Sequence, residues 1–179
     1  MISVKFRVLT AEDTAAYCKV RLEALERDPT AFGSSMEDHR KLSESDIRSR
    51  ISKDPANNFV IGVFADGELV GTAGFVRDTG VKVRHKGKIW GVYLRAESRR
   101  QGIGRRMLQM VVERAAKIQG LEQILINVTT TQAAAIAIYR SVGFTSFGVE
   151  PKALKIGDLY IDEEYMVLRL ARKADPSSG

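Results

Sequence analysis

Residues 99–104, RRQGIG, join an apolar run to a long amphipathic segment, and this junction constrains the fold more than any other part of the chain. The run before it, IWGVYL over 89–94, reads as a buried strand. The segment after it, 103–119, reads as a helix. Its residues Ile103, Met107, Met110, Val111, Ala115 and Ile118 recur at spacings of three and four, with Arg114 a charged stem within the stripe. A further strand follows at 124–128. Strand, helix and strand make a right-handed crossover, which lays its two strands parallel and adjacent. The loop inside this unit carries Gly102 and Gly104 among Arg99, Arg100 and Arg105. Glycine lets a ligand approach the backbone, and the first amides of a helix point outward unpaired. With the positive end of the helix dipole, such a loop is built to hold an anion, and a phosphate fits best.

The remaining segments build outward from this unit. Residues 2–9 alternate apolar and polar, as a first strand does. Thr10 followed by Asp13 is a helix-start signal, and that helix runs to about Arg27, before Pro29. Residues 43–51 read as a second, short helix, and 28–42 between them as irregular. Asn58–Ala65 and 68–76 are strand-like and flank Asp66-Gly67, a two-residue hairpin signal. Gly120 ends the long helix. An alanine-rich helix spans Ala133–Val142 and stops at Gly143. Residues 144–149 and 159–170 supply two last strands, with 151–158 irregular between them. The order β-α-α-β-β-β-α-β-α-β-β implies a mixed sheet with helices on both faces. Residues 1–171 are expected to form one domain and 172–179 a loose tail.

Composition narrows the function. The net charge is +6, yet residues 82–106 hold nine basic residues against Glu97 alone, a local balance of +8. The basic excess thus gathers around the glycine loop. No nucleic-acid motif or aromatic stacking platform accompanies it, so a nucleic-acid partner is not expected. No apolar run is long enough to span a bilayer. Met1-Ile2-Ser3-Val4-Lys5 lacks signal-peptide character, and Cys18 is the single cysteine, which excludes an intrachain disulfide and a multi-thiolate zinc site. A cytoplasmic setting is the expectation. Cys18, His39 and His85 acquire no role from the sequence.

Three phosphate-loop designs compete. A mononucleotide loop requires Lys-Ser/Thr after its second glycine, and none follows Gly104. A dinucleotide fingerprint requires a third glycine at 107, where Met stands. What remains is R-x-x-G-x-G between strand and helix. Val92-Tyr93-Leu94 followed by Arg99-x-x-Gly102-x-Gly104 resembles the acetyl-CoA signature of the GNAT superfamily of N-acetyltransferases. Residues 129–144, TTTQAAAIAIYRSVGF, are similar to that superfamily's N-x-x-A-x-x-x-Y-x-x-x-G-F pattern after its fifth strand. Residues 28–35 and 160–163 also look like segments of small bacterial members.

The resemblance implies an α/β GNAT-like fold: a mixed, mostly antiparallel sheet of six to seven strands, a central parallel pair of fourth and fifth strands, and helices on both faces. It implies acetyl-CoA as co-substrate, no metal, and direct attack of an amine on the thioester. The pyrophosphate would take amides of Gln101, Gly102, Ile103, Gly104 and Arg105, with charge-assisted help from Arg99 and Arg100. Val92, Tyr93 and Leu94 would pair with the pantetheine arm and offer an oxyanion donor. Tyr139 would be the general acid for the thiolate. Gln132 stands where the family has Asn, and Asn127, on the fifth strand, is a second candidate for a cofactor or substrate contact. The general base is open among Glu37, Glu150, Asp162, Glu163 and water. The acceptor, a small-molecule or protein amine, is left open, and a homodimer is compatible with the family. The competing reading is a non-catalytic acyl-CoA sensor or regulatory module on the same fold.

Overall fold

The computed structural model describes residues 3–171. The expectation of a loose tail at 172–179, and the start of the first strand at Ile2, lie outside the described residues. The chain forms β1 (Val4–Val8), α1 (Thr14–Arg27), α2 (Met36–Arg40), α3 (Glu44–Ser52), β2 (Asn58–Ala65), β3 (Glu68–Arg77) and β4 (Lys86–Leu94). It continues through α4 (Ile103–Ala115), β5 (Gln123–Thr129), α5 (Ala133–Val142), β6 (Thr145–Ile156) and β7 (Leu159–Arg169). The seven strands form one sheet in the order β1-β2-β3-β4-β5-β7-β6. Only β4 and β5 are parallel.

Period-two patterning sends alternate side chains to two cores. Phe59, Ile61, Ile89, Ile124, Ile126 and Met166 pack under α4 and α5 with Met107, Val111 and Tyr139. Val60, Leu69 and Tyr93 pack on the other face with Tyr17, Val20 and Ala24 of α1 and Ile47 and Ile51 of α3. The Asp66-Gly67 hairpin is as the sequence demands, with both residues at positive φ (48° and 88°).

Four segments depart from the sequence reading. Residues 28–42 hold a short helix, α2, whose Ser35 Oγ accepts the Asp38 amide. The stretch 151–156 is strand rather than loop. It is admitted to the β6 edge by a register shift between Glu150 and Leu154, where Pro151 has no ladder partner to serve and Lys152 takes φ 56°. Helix α4 ends at Ala115, short of Gly120, because residues 117, 118 and 121 close tighter i to i−3 turns. The start of α1 is likewise a tight turn over Ala11–Asp13, held by the Asp13 carboxylate, which accepts the Thr10 amide and binds Arg7 through both oxygens.

The β4–β5 pairing decides where a ligand can enter. It runs only through Lys86↔Gln123, Gly87↔Ile124 and Lys88↔Leu125. Beyond that the strands separate, and the β5-facing edge of residues 89–94 is left free. A bulge lies in the same stretch. Thr72 pairs with Tyr93 and Gly74 with Trp90, so two residues of β4, Gly91 and Val92, oppose Ala73 alone. Gly91 takes φ 61°, and its carbonyl accepts the Thr72 hydroxyl.

Candidate active site

The loop that opens α4 lies at the C-terminal end of β4. Arg106 donates to the Gly102 carbonyl as the first helical bond. The amides of Arg100, Gln101, Gly102, Ile103, Gly104 and Arg105 have no acceptor among the described residues. Gly102 is the N-cap at φ 76°, and nothing lies within 4 Å of where its Cβ would stand. Arg100 also holds positive φ, 64°, a conformation that costs a non-glycine residue about 1 kcal/mol. The result is a concave run of donors at a helix N-terminus, suited to an anion.

The arginines divide. Arg100 is exposed and makes no hydrogen bond or ion pair among the described residues. The Arg99 side chain turns inward instead: Nε donates to the Leu94 carbonyl at 2.7 Å and Nη2 reaches Asp28 at 2.8 Å. It ties the loop to the end of β4 and to the residue after α1. Arg105 donates to the Ser141 carbonyl at 3.4 Å, and the Gln101 amide group to Glu97.

The end of β4 is pinned by groups that the sequence did not single out. Tyr93 Oη donates to Glu23 at 3.0 Å, and Arg95 binds the same carboxylate at 2.9 Å and Glu68 at 2.9 Å. Burial and the Glu23 carboxylate push the Tyr93 phenol up to about 12. The Tyr93 side chain is therefore spent on the α1 face, and only its backbone faces the gap. Val92 and Leu94 point into the core under α4 and α5.

Tyr139 projects from α5 into that core beside Phe144, with ring centroids 6.3 Å apart. Its hydroxyl has no hydrogen-bond partner among the described residues, and it is not among the polar atoms sealed from solvent. Burial pushes the phenol well above its ordinary value, so it stays protonated throughout the neutral range. Gln132 is the residue before α5; its backbone carbonyl accepts the Ile136 amide, while its side chain caps nothing.

The opposite face of β5 and β7 collects a polar group. Asn127 donates to Glu163 at 2.8 Å, and its strand neighbour Tyr165 donates to Glu150. That bond holds the Tyr165 phenol up at about 12. Glu150 and Glu163 are cross-strand partners. Asp162 is used by the fold, accepting the Lys152 amide in the β6 bulge. Glu37 lies apart on α2, exposed and paired with Lys41 at 3.0 Å. Of the four carboxylates weighed from sequence, the structure brings Glu150 and Glu163 together at the β5–β7 face. A cleft of about 260 Å³ is lined by Thr30, by Thr130 and Thr131 after β5, and by Tyr160 and Asp162 of β7. The larger hollow at Lys5, Arg7, Phe64 and Asp66 is on the β1 edge of the sheet, away from this chemistry.

Comparison with known proteins gives the family and the fold. The family model described as acetyltransferase (GNAT) family matches residues 20–144, more than half of the chain. Curated L-methionine sulfoximine/L-methionine sulfone acetyltransferases of Pseudomonas paraeruginosa and Pseudomonas aeruginosa are 33% identical over 79 residues, 44% of this chain. The match spans about half the length of those relatives, 45%. A GNAT-family acetyltransferase of Streptococcus pneumoniae has the same fold, with a TM-score of 0.83 at 20% identity over 94% of this chain and 100% of that one. A Salmonella typhimurium protein solved with its cofactor acetyl-CoA superposes with a TM-score of 0.81 at 20% identity, covering 99% of each chain. No helix among the described residues is long and apolar enough to cross a membrane.

Proposed function

The chain belongs to the GNAT family of acetyltransferases, and we propose that it moves an acetyl group from acetyl-CoA directly to an amine. The observation that carries this reading is the run of unpartnered amides from Arg100 to Arg105, set beside the free edge of β4. Acetyl-CoA supplies an activated thioester; the chain supplies position and charge. Amides of Gln101 to Arg105 hold the pyrophosphate, Arg100 adds a cation, and Arg99 braces the loop rather than donating to the phosphates. Gln132 and Asn127 add side-chain amides at the mouth of the gap.

Backbone groups of Val92, Tyr93 and Leu94 take the pantetheine amides as an added strand would. One β4 amide stabilises the negative charge that builds on the thioester oxygen, a role worth roughly 100- to 1,000-fold in rate. Tyr139, neutral and buried, gives its proton to the departing thiolate. Glu163, directly or through water, accepts the proton of the amine, with Glu150 beside it. The bond that forms is the amide C–N and the bond that breaks is the thioester C–S.

The acceptor is a small-molecule or protein amine, and the curated relatives place amino-acid analogues in the first panel to test. Thiol release from acetyl-CoA across diverse amines checks the reading; release that depends on an amine, with the N-acetylated product found by mass spectrometry, is expected. Tight CoA binding with no transfer to any amine would favour the non-catalytic acyl-CoA sensor instead. A homodimer is also part of this reading, supported by the exposed Phe147, Val149, Leu159 and Tyr160 on the β6–β7 hairpin at the sheet edge. Light scattering of the purified chain tests it.

A further inference from the structure

Helix α1 buries Tyr17, Val20, Arg21 and Ala24 along one stripe, and Arg21 is the charged member. It is 5% exposed. Its Nε and Nη1 are sealed from solvent and bond to nothing among the described residues, and the Tyr17 hydroxyl, one turn earlier, is in the same condition. No carboxylate pairs with Arg21 among the described residues. The guanidinium lies 4.6 Å from the centre of the Phe32 ring, and the titratable groups around Arg21 and Tyr17 are Cys18, His39 and Arg50, none of them a carboxylate. An unpaired buried guanidinium costs several kcal/mol, and neighbouring buried donors without acceptors require an explanation.

The location supplies one. Nη1 stands 3.7 Å from the position that a Cβ on Gly91 would occupy. Gly91 forms the β4 bulge with Val92, on the stretch of β4 that β5 leaves unpaired. The donors thus sit beside the unpaired stretch of β4, at mid-strand, whereas the unpartnered amides at the start of α4 belong to the loop beyond the strand's end. An aromatic floor, a planar fork of donors and a phenol hydroxyl, with no carboxylate among them, match a carboxylate.

We propose that Arg21, assisted by Tyr17, binds the carboxylate of the acceptor, so that the substrate is an amine bearing a carboxylate, an α-amino acid or close analogue. This rests on the acetyl-transfer reading above and assigns the substrate class of that same site. The Asn127–Glu163 pair on the same face of the sheet is then left to the amino end.

The test uses α-amino acids (L-alanine, L-methionine, L-phenylalanine and L-glutamate) and their matched carboxamides, with wild type, Arg21→Met and Tyr17→Phe. Thiol release gives kcat/KM, and calorimetric titration of each acid in the presence of CoA gives binding without turnover. Wild type is expected to favour acid over carboxamide by about tenfold or more, a preference of about 1.4 kcal/mol. Arg21→Met is expected to abolish that preference through KM, with CoA affinity kept. Its melting temperature without ligands is expected not to fall, because an unpaired buried charge has been removed. Tyr17→Phe is expected to weaken the preference partially. Equal use of acids and carboxamides by wild type, or a preference that survives Arg21→Met, overturns the inference while leaving acetyl transfer standing. Acids that bind wild type but not Arg21→Met, without any acetyl transfer, support the carboxylate site and overturn the transfer reading. Absence of both binding and transfer overturns both.

Discussion

Gly104 separates what the fold requires from what the ligand requires. It occupies the second position of α4, with ordinary helical backbone, unlike Gly102 at φ 76°. A Cβ at Gly104 would meet Ile138 Cδ1 at 3.6 Å and Leu94 Cδ2 at 3.9 Å, normal van der Waals distances. The protein therefore has room for Gly104→Ala, and alanine loses less backbone entropy than glycine in a helix. The substitution should stabilise the chain by about 0.5 kcal/mol and raise the melting temperature by about 1–2 °C. The new methyl would nevertheless stand between Leu94 and α5, on the path from the unpaired amides to Tyr139. We expect KM for acetyl-CoA to rise by about tenfold or more, equivalent to about 1.4 kcal/mol of lost binding. Gly102→Ala, by contrast, forces alanine into the left-handed region and should cost about 1–2 kcal/mol of stability in addition to weakening CoA. Differential scanning calorimetry with CoA titration reads both quantities. A Gly104→Ala chain that melts lower, or binds CoA unchanged, would refute the argument that ligand clearance rather than packing demands this glycine.

Other outcomes follow from the same geometry. Tyr139→Phe should lower kcat by about 100-fold or more with acetyl-CoA affinity retained, since only the proton donor is lost; steady-state thiol release checks this. Because burial raises the Tyr139 phenol, its protonated form persists through neutral pH and above. The rate should then climb with pH as the amine loses its proton and show no falling limb up to about pH 10, the ordinary tyrosine value. Asp13→Ala removes the Thr10 cap and the Arg7 pair and should cost about 1–2 kcal/mol in urea unfolding. Arg7 lowers the Asp13 carboxyl below its ordinary value, so this contribution is full above the unfolded value near pH 4 and fades as pH falls through the folded one. Arg95→Met removes the close partner of Glu23 at the end of β4 and leaves that carboxylate the longer Arg27 contact at 3.7 Å and the Tyr93 hydroxyl; it should cost about 2 kcal/mol in the same assay.

Much of the architecture was legible before any coordinates. The Asp66-Gly67 turn, the Ala133–Val142 helix with its Gly143 stop, and the crossover around the glycine loop all depend on residues within a few positions of one another. The departures share a cause. Residues 35–40 carry a capping serine in Ser35 but too short an apolar period to read as a helix. Residues 151–156 contain a proline that only a bulged edge strand tolerates. The site was legible where it is backbone, as in Gly102 and its neighbouring amides. It was less legible where side chains choose among partners: Arg99 turned to Leu94 and Asp28, and Tyr93 to Glu23. A buried arginine at a core position of α1 is consistent with the spacing of Tyr17, Val20, Arg21 and Ala24, but a single charge in an amphipathic helix carries no local mark of whether it will be paired.

The sequence by itself determined the order of elements, the loop that opens α4 and the tyrosine that follows on α5. Those features are set by local periodicity and turn chemistry, which act over one or two turns of chain. Only the tertiary structure decided that β4 and β5 part after Lys88, that Glu150 and Glu163 face one another beside Asn127, and that Arg21 lies unpaired near Gly91. Strand register and the burial of a charge depend on segments far apart in sequence, and no short-range pattern records which of them will meet.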